Sequence, residues 1–339
     1  MPHLPRGYDL HSNDVVPAYL QWWAHENQGL SPLLVTLYDT WIFNGANWDT
    51  VPRIASWTPV DHFPAPPDVV AWSKRDNVTP IAMSRFGEEM LKDAGCADTL
   101  YVPHAIDTKV FRPVESFPAR DGAMTGREFM GVDDSSGRRF VVGMVSANKG
   151  QVPNRKAFPE AFLAFGMFAK QHPDALLYVH TEAHGAMGGI DLPALAKACG
   201  INPEQIVFAD PFVWRMGVPA HVLAACYTGM DVLLQPSMGE GFGIPLVEAQ
   251  ACGTPAITSS ATASPELLGD GWTVEGQPWW DHAQKSWLMA PHVSSILERL
   301  VQAHARERGT SQQAIDFAAG YDADLVFDRY WRPAMEALA

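Results

Sequence analysis

The chain has 339 residues, of which 47% are hydrophobic, and 24 basic against 38 acidic residues give a formal net charge of −14. This length and apolar content suffice for two packed domains. The acidic balance, with no block of lysine and arginine, argues against a nucleic-acid partner and against adhesion to an anionic membrane.

The cysteines and the apolar runs bear on the compartment. The four cysteines lack the close spacing of a metal knuckle, and they are too few for a disulfide framework in a chain of this length. No apolar run approaches the roughly 20 residues of a membrane span, and the N-terminus lacks the apolar centre of a signal peptide. We therefore expect a cytoplasmic protein without an integral membrane segment.

The first third of the chain alternates between short apolar runs and helical patterns, which predicts βαβ units. The predicted strands are residues 8–14, 32–37, 69–72 and 79–84, and the predicted helices are residues 16–26 and 85–94. Residues 57–64 form a proline-punctuated loop in which Asp61 and His62 are adjacent. His62 is a candidate catalytic or acceptor-binding residue, and a local hydrogen bond to Asp61 is the alternative.

Residues 115–139 are polar and rich in glycine and aspartate, which predicts a linker and hinge. The alternation of strand and helix then resumes and predicts a parallel doubly wound sheet. The predicted strands are residues 140–145, 175–181, 205–208, 231–235 and 255–258, and the predicted helices are residues 157–171, 192–199, 218–228, 264–268, 292–308 and 324–338.

The most informative stretch is residues 236–253, where a glycine-rich loop follows the strand at 231–235. Alternate glycines let backbone amides approach a ligand, and Pro245 suits the start of a helix. Strand, glycine loop and helix start together predict an anion site at the carboxyl edge of a sheet. Glu240 and Glu248, with seven residues between them, would repel a phosphate and are better suited to accept hydrogen bonds from hydroxyls. A sugar nucleotide carries both kinds of group.

This stretch resembles the E-x7-E signature of retaining GT-B glycosyltransferases of the family 4 type, also called glycosyl transferases group 1. The resemblance implies an α/β protein of two Rossmann-like parallel-sheet domains with a cleft between them, the first apparently shortened at its N-terminus. It divides the chain into an acceptor-side domain, a linker, a nucleotide-sugar-binding domain and a terminal helix that packs back on the first domain, at residues 1–114, 115–139, 140–320 and 321–339.

The sequence departs from the family pattern at several positions. Tyr38 stands where the family usually has a histidine facing the donor sugar, and His104 begins a His-Ala pair in place of Asn-Gly. Met144 stands where an arginine usually grips the diphosphate. The compensating bases are Arg155 and Lys156, favoured by their place at a helix start, with Lys149 as a rival and solvated surface charges as the alternative.

The resemblance implies a glycosyltransferase, of the hexosyltransferase type, that moves a sugar from a nucleoside-diphosphate sugar to an unknown hydroxyl acceptor with retention. Glu240 would bind the transferred sugar and Glu248 the ribose. The glycine-loop residues predicted to meet the phosphates are Gly241, Phe242 and Gly243. We expect no cofactor and no metal. The alternative is a sugar-nucleotide-binding protein with lost or weak catalysis; a dinucleotide-dependent oxidoreductase fails for want of an early Gly-x-Gly-x-x-Gly turn.

Overall fold

The computed structural model describes residues 7–11, 13–120 and 122–339. The chain forms two compact units. The first comprises the described residues up to Pro103 together with Trp280–Trp287 and Asp328–Ala339, and the second comprises His104–Trp279 and Leu288–Phe327. Within the described residues, every helix falls short of the length and apolar character needed to cross a bilayer.

The first unit is built on a four-stranded parallel sheet of order β1-β2-β3-β4. Its elements are α1 (Val16–Glu26), β1 (Leu34–Leu37), β2 (Ile54–Thr58), α2 (Pro67–Ser73), β3 (Val78–Ala82), α3 (Arg85–Asp93) and β4 (Leu100–Tyr101), with 3-10 turns at Thr40–Ile42 and Ala46–Thr50. Trp48 and Trp72 pack with Ile54 in one hydrophobic cluster. Ala55 and Ile81 pack in another with residues near the C-terminus.

Two strand predictions for this unit were wrong, and one strand was not predicted. Residues 8–14 were expected to form a strand, but those described form bends and turns, because the Asp9 carboxylate accepts the backbone N–H groups of His11 and Asn13. Residues 69–72 lie in α2, where two prolines at 66 and 67 set up a helix start. Strand β2 was missed, although it ends inside the predicted loop.

The second unit contains a six-stranded parallel sheet of order β12-β11-β10-β7-β8-β9. Its elements before and within the sheet are β5 (Phe117–Ala119), β6 (Gly122–Met124), α4 (Gly126–Phe129), β7 (Phe140–Val145), α5 (Phe158–Ala169), β8 (Ala175–His180), α6 (Leu192–Ala198), β9 (Ile206–Phe208), α7 (Pro211–Met216), α8 (Ala220–Gly229), β10 (Val232–Gln235), α9 (Ile244–Ala251), β11 (Ala256–Ser259) and β12 (Gly271–Val274). Short 3-10 turns lie at Pro203–Gln205 and Pro265–Leu267.

The remaining elements follow the sheet. They are β13 (Gly276–Asp281), β14 (Ser286–Pro291), α10 (Val293–Ala305), α11 (Gln312–Ala318), a 3-10 turn (Ala319–Tyr321), α12 (Ala323–Val326), a π-helical turn (Phe327–Trp331) and α13 (Arg332–Leu338). The β13–β14 ribbon lies outside both large sheets, and its residues 280–287 belong to the first unit. The carboxylate of Asp322 caps α12 by accepting the N–H groups of Asp324 and Leu325.

The core of the second unit explains why its strands are continuous apolar runs. All six residues of β7 are buried, as expected for a central parallel strand covered on both faces. Helix α5 contributes a row of buried phenylalanines to the same cluster, and α10 adds Ile296 and Leu300. The predicted strands of this unit, and the helices predicted at 157–171, 192–199 and 218–228, are confirmed to within about two residues at their ends. The helix predicted at 292–308 ends three residues early, the one at 264–268 is a 3-10 turn, and a π-helical turn interrupts the one at 324–338. Elements α7, α11 and β12 to β14 were not predicted.

The predicted linker is folded. Residues 115–139 contain the β5–β6 hairpin and α4, which starts with a capping box between Thr125 and Glu128. A side chain on Gly126 would collide with α8, because its Cβ atom would lie 1.8 Å from the backbone carbonyl oxygen of Ala225, so only glycine allows the two helices to lie this close. This packing places the segment in the second unit, and the compact units therefore differ from the predicted domain boundaries.

Candidate functional site

The sheet order brings two loops of the second unit together. From β7 the chain proceeds to β8 and β9 on one side, and from β10 to β11 and β12 on the other, so the order reverses between β7 and β10. In doubly wound sheets, ligands bind beyond the carboxyl ends of the strands at such a point. The basic loop (residues 146–157) follows β7 and the glycine loop (residues 236–243) follows β10. A backbone hydrogen bond of 2.8 Å from Met238 to Arg155 joins them.

Glu240 lies among the bases of the basic loop. Its carboxylate accepts from Lys156 Nζ at 2.5 Å and lies 3.5 Å from Arg155 Nη1, which also donates to the Gly239 carbonyl at 2.5 Å. The residue is only 6% exposed. Burial alone would raise the pKa of Glu240, but the charges of Lys156 and Arg155 outweigh it and hold that pKa below its usual value. Glu240 is therefore an anion between two cations.

The start of α9 is exposed and uncapped. Gly243, the residue before the helix, has φ +117°, a conformation that favours glycine, and among the residues that the structure describes no side chain caps the first-turn N–H groups. Ile244 at the first helical position is exposed, whereas Gly241 and Phe242 are buried. Uncapped N–H groups at a helix start attract anions. Around Gly243, the segment predicted to meet the phosphates therefore offers backbone N–H groups.

The aromatic ring of Phe242 has a structural role. It meets His104 edge-on at 5.3 Å between ring centroids and Tyr321 at 5.7 Å. Burial lowers the pKa of His104 to about 4, so the imidazole is neutral at neutral pH. The position where the family has asparagine therefore supports the glycine loop by packing.

Glu248 occupies a different environment from Glu240. It lies in the second turn of α9, and its Oε2 accepts a 2.8 Å hydrogen bond from the hydroxyl of Tyr227 on α8. Burial raises the pKa of Glu248, and the bond from Tyr227 offsets part of that increase. Its carboxyl group is paired with a neutral donor rather than with a cation.

Lys149, Met144 and Tyr38 make no contact with Glu240 among those described above. Lys149 is in the basic loop but exposed, and the ion pairs of Glu240 are made by Arg155 and Lys156. Met144 is fully buried in the hydrophobic core, which accounts for an apolar residue at the position where the family has an arginine. Tyr38 is exposed in the first unit and contacts the rings of His11 and Phe43.

His62 belongs to the first unit and is held between two carboxylates. Its Nδ1 lies 2.6 Å from Asp61 Oδ1, and its Nε2 lies 3.3 Å from Asp281 Oδ2. The residue is 3% exposed. Burial lowers the pKa of His62, but the two carboxylates outweigh it and raise that pKa above its ordinary value. Both ring nitrogens are engaged, so this geometry leaves no nitrogen for a substrate, and the local hydrogen bond to Asp61 is present.

Sequence reasoning missed two polar side chains at the site. Gln235, the last residue of β10, donates to Glu240 Oε1 at 3.3 Å, and Thr262 accepts the backbone N–H of Glu240 at 2.9 Å. Gln235 is the one polar residue in an otherwise apolar strand, a signal that could have identified it. Thr262 lies in a loop with φ +56°, and nothing in its local sequence indicates its partner. Together they fix the position of Glu240.

A family model and individual relatives match this chain. Residues 145–276 match the model described as glycosyl transferases group 1. The chain is 28% identical over 241 residues to a D-inositol 3-phosphate glycosyltransferase from Segniliparus rotundus, a match that covers 66% of this chain and 46% of that protein. The chain thus spans about half the length of this curated relative.

Solved structures show the fold over nearly the whole chain. A sucrose-phosphate synthase from Thermosynechococcus elongatus superposes with a TM-score of 0.69 at 16% identity, covering 99% of this chain and 81% of that one. The Anabaena protein HepE in complex with UDP-glucose superposes with a TM-score of 0.66 at 14% identity, covering 94% and 82%. These matches confirm the predicted fold: the chain has the GT-B fold, and its residues 145–276 match the model of the glycosyl transferases group 1 family, in agreement with the resemblance.

Proposed function

We propose that this protein is a glycosyltransferase that transfers a sugar from a nucleoside-diphosphate sugar to a hydroxyl acceptor with retention of configuration. The observation that carries the proposal is the arrangement at the β7–β10 switch point: two cations pair with the buried Glu240 carboxylate, and an uncapped helix start ends the same glycine loop. A diphosphate needs positive charge and N–H donors, and a sugar needs a hydrogen-bond acceptor. This arrangement offers all three within two adjoining loops.

Each group has a part in the proposed reaction. Arg155, Lys156 and the N–H groups at the start of α9 meet the diphosphate. Glu240 accepts hydrogen bonds from hydroxyls of the transferred sugar, and Glu248 accepts them from the ribose. As the bond between sugar and diphosphate breaks, negative charge grows on the leaving oxygen, and cations already in position stabilise it without reorganisation. We expect most of the rate enhancement to arise there.

The ion pair between Lys156 and Glu240 bears on how the donor binds. The same cation serves both the buried carboxylate and, in the proposal, the diphosphate. Glu240 retains hydrogen bonds from Gln235 and, through its backbone, to Thr262 when Lys156 turns toward phosphate. We therefore expect Glu240 to keep its place while Lys156 is shared between the carboxylate and the diphosphate. The carboxylate then lies beside the phosphate, where it can accept hydrogen bonds from the sugar hydroxyls.

The comparisons support the choice of first substrates to test. The curated relative is named a D-inositol 3-phosphate glycosyltransferase, and the HepE structure holds UDP-glucose. A uridine diphosphate sugar is thus the first donor to try, with inositol phosphates among the acceptors. The four cysteines are free thiols, which fits a reducing compartment, and we propose the cytoplasm.

Met144 and Tyr38 favour a second candidate function. Both replace residues that the family uses on the donor, which is compatible with a sugar-nucleotide-binding protein of weak or lost catalysis. Mass spectrometry of a donor panel, with and without candidate acceptors, separates the two. Transfer or donor hydrolysis supports the enzyme; tight donor binding without turnover supports the binding protein; absence of both binding and turnover across the panel overturns the proposal.

A further inference from the structure

Tyr227 lies directly against the carboxyl group proposed to bind the ribose. It is on α8, is fully buried, and its hydroxyl is 2.8 Å from Glu248 Oε2. Burial first, and then the charge of Glu248, raise the pKa of Tyr227 well above its ordinary value. The phenol therefore keeps its proton, and because a carboxylate can only accept, the hydrogen bond runs from Tyr227 to Glu248.

The tyrosine itself is held firmly. Its ring lies 6.4 Å from that of Phe111, and its backbone carbonyl accepts a 2.7 Å hydrogen bond from the hydroxyl of Thr254. A ring packed on all sides has a single rotamer available, so its hydroxyl occupies a fixed point. A glutamate side chain has three rotatable bonds and would otherwise sample several orientations.

We infer that Tyr227 is a positioning residue for the ribose subsite: it holds Oε2 of Glu248 and thereby turns Oε1 toward the vicinal hydroxyls of the nucleotide. This inference rests on the proposed function, because it assumes that Glu248 accepts from a ribose. The consequence is a preference for ribonucleotides over 2′-deoxyribonucleotides, since a carboxylate held in place binds the ligand that supplies both hydroxyls more tightly. Loss of the anchor reduces that preference more than it reduces overall affinity.

The test uses the full chain and four ribonucleoside diphosphates with their 2′-deoxy counterparts. Calorimetry gives the ratio of deoxy to ribo Kd for the base that binds most tightly. The variants are Tyr227→Phe, Glu248→Gln, the double change and Tyr178→Phe. Tyr178 is a matched control, because it is also buried in the second unit, and its hydroxyl bonds to His180 at 2.9 Å and not to Glu240 or Glu248.

The expected result is that Tyr227→Phe lowers the ratio about tenfold, that Tyr178→Phe leaves it unchanged, and that Tyr227→Phe has no further effect in the Glu248→Gln background. If Glu248→Gln lowers the ratio and Tyr227→Phe does not, the positioning role is wrong while the ribose assignment stands. If Glu248→Gln leaves both affinity and ratio unchanged, the ribose assignment fails and the inference fails with it, while the proposed function stands. If none of the diphosphates binds, the proposed function fails as well.

Discussion

Two buried charge clusters, one in each unit, have opposite compositions. In the Glu240 cluster one carboxylate lies between two cations, Lys156 and Arg155. In the His62 cluster one imidazole lies between two carboxylates, Asp61 and Asp281. The first cluster carries an excess of positive charge and the second an excess of negative charge, even with His62 protonated. Only the first has the sign of charge that a diphosphate needs.

The contrast changes the roles expected from sequence. Glu240 and His62 were both predicted to be catalytic. The structure keeps Glu240 beside the phosphate-binding candidates and places His62 where both its nitrogens contact carboxylates. In the same cluster, Ala283 and Gln284 donate their backbone N–H groups to Asp281, which fixes that carboxylate as well. We therefore propose that His62 stabilises the first unit and that the chemistry depends on the Glu240 cluster.

The largest expected effect is on turnover. Replacing both cations, Arg155→Ala with Lys156→Ala, should lower kcat by about 100-fold or more while the donor KM rises far less, because the charge they meet grows in the transition state. Steady-state kinetics with the best donor measures both constants. Lys149→Ala is the control. If Lys149→Ala alone abolishes turnover and the double variant is normal, the cation that meets the diphosphate is Lys149, near the end of β7, and the assignment to Arg155 and Lys156 is wrong.

The next effect is on stability. Lys156→Met should lower the free energy of unfolding by about 2 kcal/mol, because it leaves the buried Glu240 carboxylate with the longer contact to Arg155 and the neutral donor Gln235 in place of two cations. Adding Glu240→Gln should restore most of the loss, since a neutral amide needs no cation. Urea unfolding of both variants and the wild type gives the coupling energy. Equal stability of Lys156→Met and wild type would show that the pair contributes nothing.

The fold was largely predictable because the second unit obeys simple patterning. A strand such as Phe140–Val145 is a continuous apolar run, and a helix such as Phe158–Ala169 is bounded by turn residues, so both appear in the sequence without ambiguity. The errors lie where side chains act over a few residues: Asp9 makes a turn from a β-like run, and paired prolines start α2. Short apolar runs do not distinguish these cases.

The charged residues of the site were predictable, but the residues that form hydrogen bonds with them were not. The sequence placed Glu240 in the glycine loop and Arg155 and Lys156 at a helix start, and the parallel sheet brings the two segments together. Spacing carries no information on Tyr227, because it meets Glu248 through the packing of α8 on α9. Gln235 stands out as a polar residue at the end of an apolar strand, but its contact with Glu240 depends on how the glycine loop folds back. Likewise, Asp281 is 219 positions from His62, so the second carboxylate of that cluster was invisible in sequence.

A smaller effect concerns the pH dependence of stability. The pKa of His62 is raised, so the folded state binds the proton more tightly than the unfolded chain. The stabilisation is complete below the unfolded pKa, about 6.5, and is lost as pH rises through the higher folded value. Unfolding of wild type and His62→Asn should therefore differ by about 1 kcal/mol more at about pH 6 than at about pH 9. A difference that grows with pH would contradict the assignment.

The smallest expected effect is that of chelation. With Arg155 and Lys156 available to the phosphates, we expect turnover to continue in EDTA, because the cations supply the charge that a divalent ion would otherwise supply. Initial rates with EDTA, and with manganese added back, provide the measurement. If turnover is lost in EDTA and manganese restores it, a divalent ion supplies the charge that we assign to Arg155 and Lys156.

The most direct test of whether Arg155 and Lys156 bind the diphosphate is calorimetric titration of a nucleoside diphosphate, which carries the full charge of the leaving group. Wild type, the Arg155→Ala with Lys156→Ala variant and His62→Asn are each titrated with the diphosphate that wild type binds most tightly. We expect affinity to fall at least about tenfold in the double variant and to be unchanged in His62→Asn. Full affinity in the double variant would contradict the binding of the diphosphate by Arg155 and Lys156.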